Sequence, residues 1–240
     1  MKKASVFLLA ASLATSIACA ADITGTVKIE GTPPAEKPYT PLMNDPICGK
    51  LHKSVPMTEF YVVGPDKGLA DVIVMLKNVT GKSTGASAPA VELDQKGCLY
   101  TPQIVAIQTG QKLVVKNSDP TLHNVHANPT VSANASANQG KLNQAQMQGA
   151  PDIVMTFPAP ENFMKFQCDV HPWMFAWVTV VDSPYYAVTG KDGKFKISNV
   201  PPGKYTITAL HRKLSPEGED QQIEVKEGQP TTVNFTLKVK

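Results

Sequence analysis

The chain has 240 residues, 42% of them hydrophobic and 18% charged, a balance ordinary for a soluble globular protein with room for one large or two small β-domains. Its formal charge is +3, and setting aside Lys2 and Lys3 takes the 23 basic residues to 21 against 20 acidic ones. With Arg212 the one arginine and no basic stripe, a strong electrostatic pull towards nucleic acid or an anionic membrane is excluded.

The first twenty residues read as an export signal. Lys2 and Lys3 form a charged start, residues 6–14 an apolar run too short to span a bilayer, and Ala18-Cys19-Ala20 a small-x-small cleavage pattern. Cleavage is expected after Ala20. Lipid attachment at Cys19 is the less favoured alternative, because Ser16 stands where that signal prefers Leu. No later stretch is long or apolar enough to span a membrane. The expected location is an oxidising compartment, the periplasm in a Gram-negative source.

Beyond residue 20 the chain alternates short apolar stretches with Gly, Pro, Asn and Asp turns and lacks convincing helical periodicity, so it is expected to be all-β. Residues 71–77 (DVIVMLK) read as a strand, residues 81–89 as a small-residue linker. Residues 111–116 (QKLVVK) read as a strand that stops at the turn Asn117-Ser118-Asp119-Pro120. Residues 132–149, rich in Asn, Gln, Ala and Ser, read as a long mobile loop, although their Ala and Gln content would permit a short helix. Residues 177–181 read as a strand. Asp192-Gly193 and Val200-Pro201-Pro202-Gly203 mark turns between further strands. In the last strand Val233, Phe235, Leu237 and Val239 alternate with Thr232, Asn234, Thr236 and Lys238, giving one apolar and one polar face.

Setting aside Cys19 leaves Cys48, Cys98 and Cys168, an odd number that strands one thiol. Compartment and parity favour a Cys48–Cys98 disulfide; two reduced thiols or an auxiliary metal pair are the alternatives. Cys168 heads Cys168-Asp169-Val170-His171-Pro172-Trp173-Met174. A loop of this length can bring thiolate, imidazole and thioether to one point, and two His, one Cys and a weak axial Met form the blue-copper donor set. His123 is the best candidate for the missing imidazole, because it follows a strand and a turn and heads His123-Asn124-Val125-His126.

Simpler readings compete. Cys168 alone is compatible with a buried core thiol. A Cys/His nucleophile lacks an evident orienting acid, and zinc gains little from Met. His126 lies on the opposite face from His123 in an extended segment, which favours a surface or packing role. His52 and His211 lack ligand-like neighbours, although His211 could approach the copper region if two sandwiches pack together. Met147, Met155 and Met164 read as core or loop fillers, and Trp173 and Trp177 as packing or docking residues.

Two resemblances organise these readings. The segments around His123 and Cys168 resemble cupredoxins, of the amicyanin and plastocyanin-like type found in periplasmic methylamine-utilisation proteins. The resemblance implies a Greek-key β-sandwich with one copper, His123, Cys168 and His171 as equatorial ligands, Met174 as axial ligand, and Asn124 tying the two ligand loops together. It also implies a His171 edge reaching the surface inside an apolar patch, suited to transient docking. It does not extend to methylamine dehydrogenase as the partner. Asp192-Gly193-Lys194-Phe195, Val200-Pro201-Pro202-Gly203-Lys204-Tyr205 and the alternating end resemble the carboxypeptidase regulatory-like domain, a small transthyretin-like sandwich. Gly25-Thr26-Val27 and Ala70-Asp71-Val72-Ile73-Val74 match that family's opening strands.

The expectation is therefore a signal at 1–20, opening strands of the smaller sandwich at 21–86, an inserted copper domain at 87–182 and closing strands at 183–240. The expected function is single-electron transfer by a type 1 copper protein, with a redox protein such as a periplasmic dehydrogenase or cytochrome as partner and no enzymatic activity. Copper storage or delivery, or a carbohydrate- or surface-binding sandwich with structural copper, are the alternatives.

Overall fold

The computed structural model describes residues 19–77, 79 and 82–239. The export signal expected over residues 1–20 lies almost wholly outside the described residues. Among them, no helix is long and apolar enough to cross a membrane.

The fold is all-β, and among the described residues four sheets enclose two main apolar cores. One core is built from both ends of the chain. Strand Ala21–Glu30 pairs antiparallel with Lys194–Val200 and parallel with Thr231–Thr232 and Phe235–Lys238. Facing it is a sheet ordered Tyr186–Val188, Ile73–Leu76, Gly203–His211, Ser215–Val225. Ile23, Val27, Val74, Ile207, Phe235 and Leu237 fill the space between them. The alternation read from the last strand is the burial pattern: Val233, Phe235 and Leu237 are buried, while Thr232, Thr236 and Lys238 are exposed. Each such fully buried side chain is worth about 1.5–3 kcal/mol, which decides the strand's register.

One turn closes this arrangement. Gly193 has φ +73°, and a Cβ there would lie 2.3 Å from the carbonyl oxygen of Val27 and 2.8 Å from the amide of Leu69. Its own carbonyl accepts the Val27 N–H at 2.8 Å. The N-terminal and C-terminal strands thus meet over a residue without a side chain.

The second core belongs to the middle of the chain. One sheet runs Ile104–Gln108, Phe175–Val181, Glu161–Gln167, His123–Asn128, Asn143–Gln146; the other runs Tyr100–Thr101, Val91–Gln95, Lys112–Asn117, Ile153–Thr156. Residues 132–149 are more ordered than a plain loop: they hold a short helix, Ser132–Ala137, and the edge strand Asn143–Gln146. Asn134 explains the order, because its buried amide bonds the Ala159 backbone and Glu161.

A segment from the N-terminal part of the chain also joins this second core. Tyr39, Leu42 and Cys48, around the helix Thr40–Asn44, pack into it, and a disulfide joins Cys48 to Cys98. The two cores touch through Ile73, Leu210, Ile104 and Ala106. Beside them Arg212 lies over the rings of Phe60 and Trp177, 5.0 and 4.5 Å from their centroids.

Candidate metal centre

The Asn117-Ser118-Asp119-Pro120 turn is self-bonded: the Asp119 N–H donates to Asn117 Oδ1, and Asn117 Nδ2 donates to the Thr121 carbonyl. It buries Asp119, whose carboxylate accepts the N–H groups of Gly97 and Cys98, each at 2.6 Å. The same carboxylate lies 2.9 Å from Nε2 of His123, at the head of strand His123–Asn128. An ionised carboxylate can only accept, so Nε2 carries the proton and Nδ1 keeps its lone pair. That lone pair points inward, 2.9 Å from Nδ1 of His171.

The loop carrying His171 is folded by its own backbone. Cys168 N–H donates to the Met174 carbonyl at 3.1 Å, and Met174 N–H donates to the His171 carbonyl at 2.8 Å. Trp173 Nε1–H donates to the Cys98 carbonyl at 3.1 Å, fixing the loop to the disulfide. Cys168 Sγ consequently lies 3.7 Å from His171 Nδ1 and accepts the Asn124 N–H at 3.4 Å. Asn124 also binds the loop through its side chain: Oδ1 accepts the Asp169 N–H at 2.6 Å, and Nδ2 donates to the Asp169 carboxylate.

His123, Cys168 and His171 each present one donor atom within 4.8 Å of the others, and all three are buried. Met174, at the end of the loop, is fully buried. Burial pushes the Cys168 thiol up, but the neighbouring His123 ring and the backbone amides around the sulfur, that of Asn124 first among them, outweigh it and hold the thiol below its ordinary range. Burial presses His123 down, yet Asp119 and Cys168 raise it overall. Burial and the neighbouring His123 both lower His171. For Asp119, burial is overcome by His123 and the two amides, so its carboxyl stays below the usual range. Two imidazole nitrogens and a sulfur turned towards one point, with the outer nitrogen of His123 already committed, form a donor set suited to a soft or borderline cation.

The other histidines fall elsewhere. His126 pairs with Asp169 at 2.9 Å, His52 Nε2 lies 2.7 Å from the Gly97 carbonyl, and His211 is buried between the cores and stacked on Tyr61. His211 Nδ1 accepts the amides of Lys213 and Leu214, and burial lowers its pKa to about 4. One expectation drawn from the cupredoxin resemblance is corrected. The His171 edge does not open into an apolar patch. His171 is 5% exposed, and its Nε2 faces the Asp45 carboxylate at 4.0 Å. The segment around the helix Thr40–Asn44 covers it, because its apolar side chains need the core beneath. Asp119 is the functional residue that sequence reading passed over. Its signal was a carboxylate four residues before His123 in a turn that points both inward.

A family model described as the carboxypeptidase regulatory-like domain matches residues 171–238. A comparison with curated proteins found no match. Among solved structures, an oxidised mutant of amicyanin is 17% identical and covers 45% of this chain and 97% of its own, with a TM-score of 0.31. A purple cupredoxin from Nitrosopumilus maritimus is 20% identical, covering 38% and 98%, with a TM-score of 0.30. A copper-containing nitrite reductase from Thermus scotoductus SA-01 is 18% identical, covering 44% and 25%, with a TM-score of 0.30.

Proposed function

We propose that this chain is an exported type 1 copper protein that carries single electrons between redox partners. One observation carries the reading: the buried convergence of His123 Nδ1, Cys168 Sγ and His171 Nδ1. His123, Cys168 and His171 would hold copper as strong donors, with the buried thioether of Met174 as a weak fourth. When bound, copper supplies a one-electron couple between Cu(II) and Cu(I).

The chain's own residues limit rearrangement between those two states. Asp119 fixes the ring of His123, Asn124 locks the loop of residues 168–174 to the strand that bears it, and the backbone bonds between Cys168, His171 and Met174 hold the loop closed. Four protein donors leave no open position for a substrate, which favours a carrier over an enzyme. Asn124 aims its N–H at the Cys168 sulfur and so stabilises the thiolate. The copper domain would span 87–182, inserted into a smaller sandwich whose strands come from 21–86 and 183–240, with Tyr39, Leu42 and Cys48 packing instead on the copper domain; the pairing of Ala21–Glu30 with C-terminal strands supports that division. The partner would be a redox protein such as a periplasmic dehydrogenase or cytochrome.

The test is the visible spectrum of the Cu(II)-loaded protein. An intense thiolate-to-copper band is expected, and Cys168→Ser abolishes it. Absence of such a band in the wild-type protein overturns the reading. The cover over His171 favours copper delivery as a second reading. Reversible redox cycling without metal loss supports the carrier, and release of copper to a chelator on reduction supports delivery.

A further inference from the structure

The Cys48–Cys98 disulfide lies against the centre as well as tethering the N-terminal segment. The two sulfurs and a ring nitrogen of His171 are all within 4.8 Å of one another, and all three residues are buried. His171 turns Nδ1 towards His123 and Nε2 towards Asp45. The Asp45 carboxylate accepts the N–H groups of Cys48 and Ile47 at 2.8 and 2.9 Å. The outer edge of His171 therefore faces the turn from which Cys48 hangs.

Both cysteines are anchored by bonds that do not involve sulfur. Cys98 donates its N–H to Asp119 and accepts from Trp173 Nε1. Cys48 is held by Asp45, and its neighbours Tyr39 and Leu42 are seated in the core. Breaking the S–S bond therefore leaves the two side chains close together.

We propose that Cys48, Cys98 and His171 form a second, redox-gated site for a soft monovalent ion, Cu(I), created when the disulfide is reduced. The disulfide sulfurs carry no charge and are poor ligands. Two thiolates beside an imidazole are a strong soft set. In the reducing step a dithiol attacks by thiol–disulfide exchange. The S–S bond breaks, the dithiol's two electrons leave it as a disulfide, and its two protons pass to Cys48 and Cys98. Binding of the ion releases those protons to solvent. The site goes beyond the Cys168 centre and shares only His171 with it.

The full-length Cys168→Ser protein isolates this site from the centre proposed above. It is prepared without oxygen, either with the disulfide intact or after reduction with a phosphine that is oxidised to its oxide and then removed. Cu(I) affinity is read by competition with a chelator, and the sulfur count around the ion by X-ray absorption. Reduction is expected to raise Cu(I) affinity by at least about a hundredfold, with two sulfurs bound. Further substitution of Cys48→Ser and Cys98→Ser should remove the gain. An affinity unchanged by reduction, or a gain that survives those substitutions, overturns the proposal. So does a reduced protein that has lost its near-ultraviolet circular dichroism, because the site requires the folded scaffold. The wild-type protein gives a second readout that does not depend on the Cys168→Ser variant folding. Its reduced form should bind more Cu(I) than its oxidised form, and equal capacity overturns the proposal. Failure of the Cys168 centre shows separately, as a missing visible band in the oxidised wild-type protein.

Discussion

His123 presents Nδ1 to the cavity because Asp119 occupies its other nitrogen, and Asp119 stays ionised because two backbone amides also donate to it. Asp119→Asn keeps an acceptor for one of those donors but offers an N–H of its own, so the tautomer of His123 is no longer imposed. Copper affinity should fall about 10–100-fold, measured by chelator competition; unchanged affinity would contradict the orienting role. Asp71 is a second instructive carboxylate. Burial, and then the charge of Glu59, raise its pKa to about 6 from the ordinary 3.8. The folded state thus binds this proton more tightly than the unfolded chain does. The associated stability is fully present below pH 4 and is lost as pH rises through about 6. It is worth up to about 3 kcal/mol, less whatever solvent screening removes from a part-buried group. Asp71→Asn, at a position with φ +61° that Asn tolerates, should flatten this dependence and stabilise the protein at pH 7. Urea unfolding between pH 4 and pH 8 reads it, and a variant less stable than wild type at pH 8 refutes the argument.

At the scale of elements, two turns do most of the positioning. The turn at Gly193 lets Ala21–Glu30 and the C-terminal strands close over one another, with the Val27 carbonyl 2.3 Å from where a Cβ would sit. Gly193→Ala forces both a left-handed backbone on a residue with a side chain and a clash with three backbone atoms, those of Val27, Leu69 and Gly68. It should destabilise by at least about 2 kcal/mol, a fall in Tm of several degrees. Thermal unfolding decides, and a Tm within a degree of wild type would show that the two strands can part without penalty. The turn at residues 117–120 buries Asp119 so that His123 enters its strand already oriented.

Across the whole molecule, the two cores are joined by a small apolar contact and by Arg212, half-buried between Phe60 and Trp177. Arg212→Ala removes both ring contacts and should destabilise the protein by about 1–2 kcal/mol. The visible spectrum of the copper-loaded form should stay the same, because Arg212 touches none of His123, Cys168 or His171. Denaturant unfolding and the spectrum together test this, and a shifted band would mean that the interface reaches the centre. The cover over His171 also belongs to this scale, because a segment that follows the first strand by only ten residues packs on a core made from the middle of the chain.

The all-β class, the alternating last strand, the turns at Asp192-Gly193 and Asn117-Ser118-Asp119-Pro120, and the two segments that supply His123, Cys168 and His171 are legible along the chain. These are properties of local pattern: period-two burial, turn chemistry and donor spacing within one loop. The sequence also pointed to the Cys48–Cys98 bridge, by parity. That Asp119 orients His123, that Asp45 and its segment cover His171, and that the disulfide lies within 4.8 Å of a His171 nitrogen emerge from the packed fold alone. Residues 132–149 showed the composition for their short helix but hid their strand and their order for the same reason, since Asn134 earns its place by bonding residues 25 and 27 positions away. Contacts of that kind leave no periodicity in the chain. They arise from how separate stretches pack around a shared core, and a single sequence does not record which stretches meet.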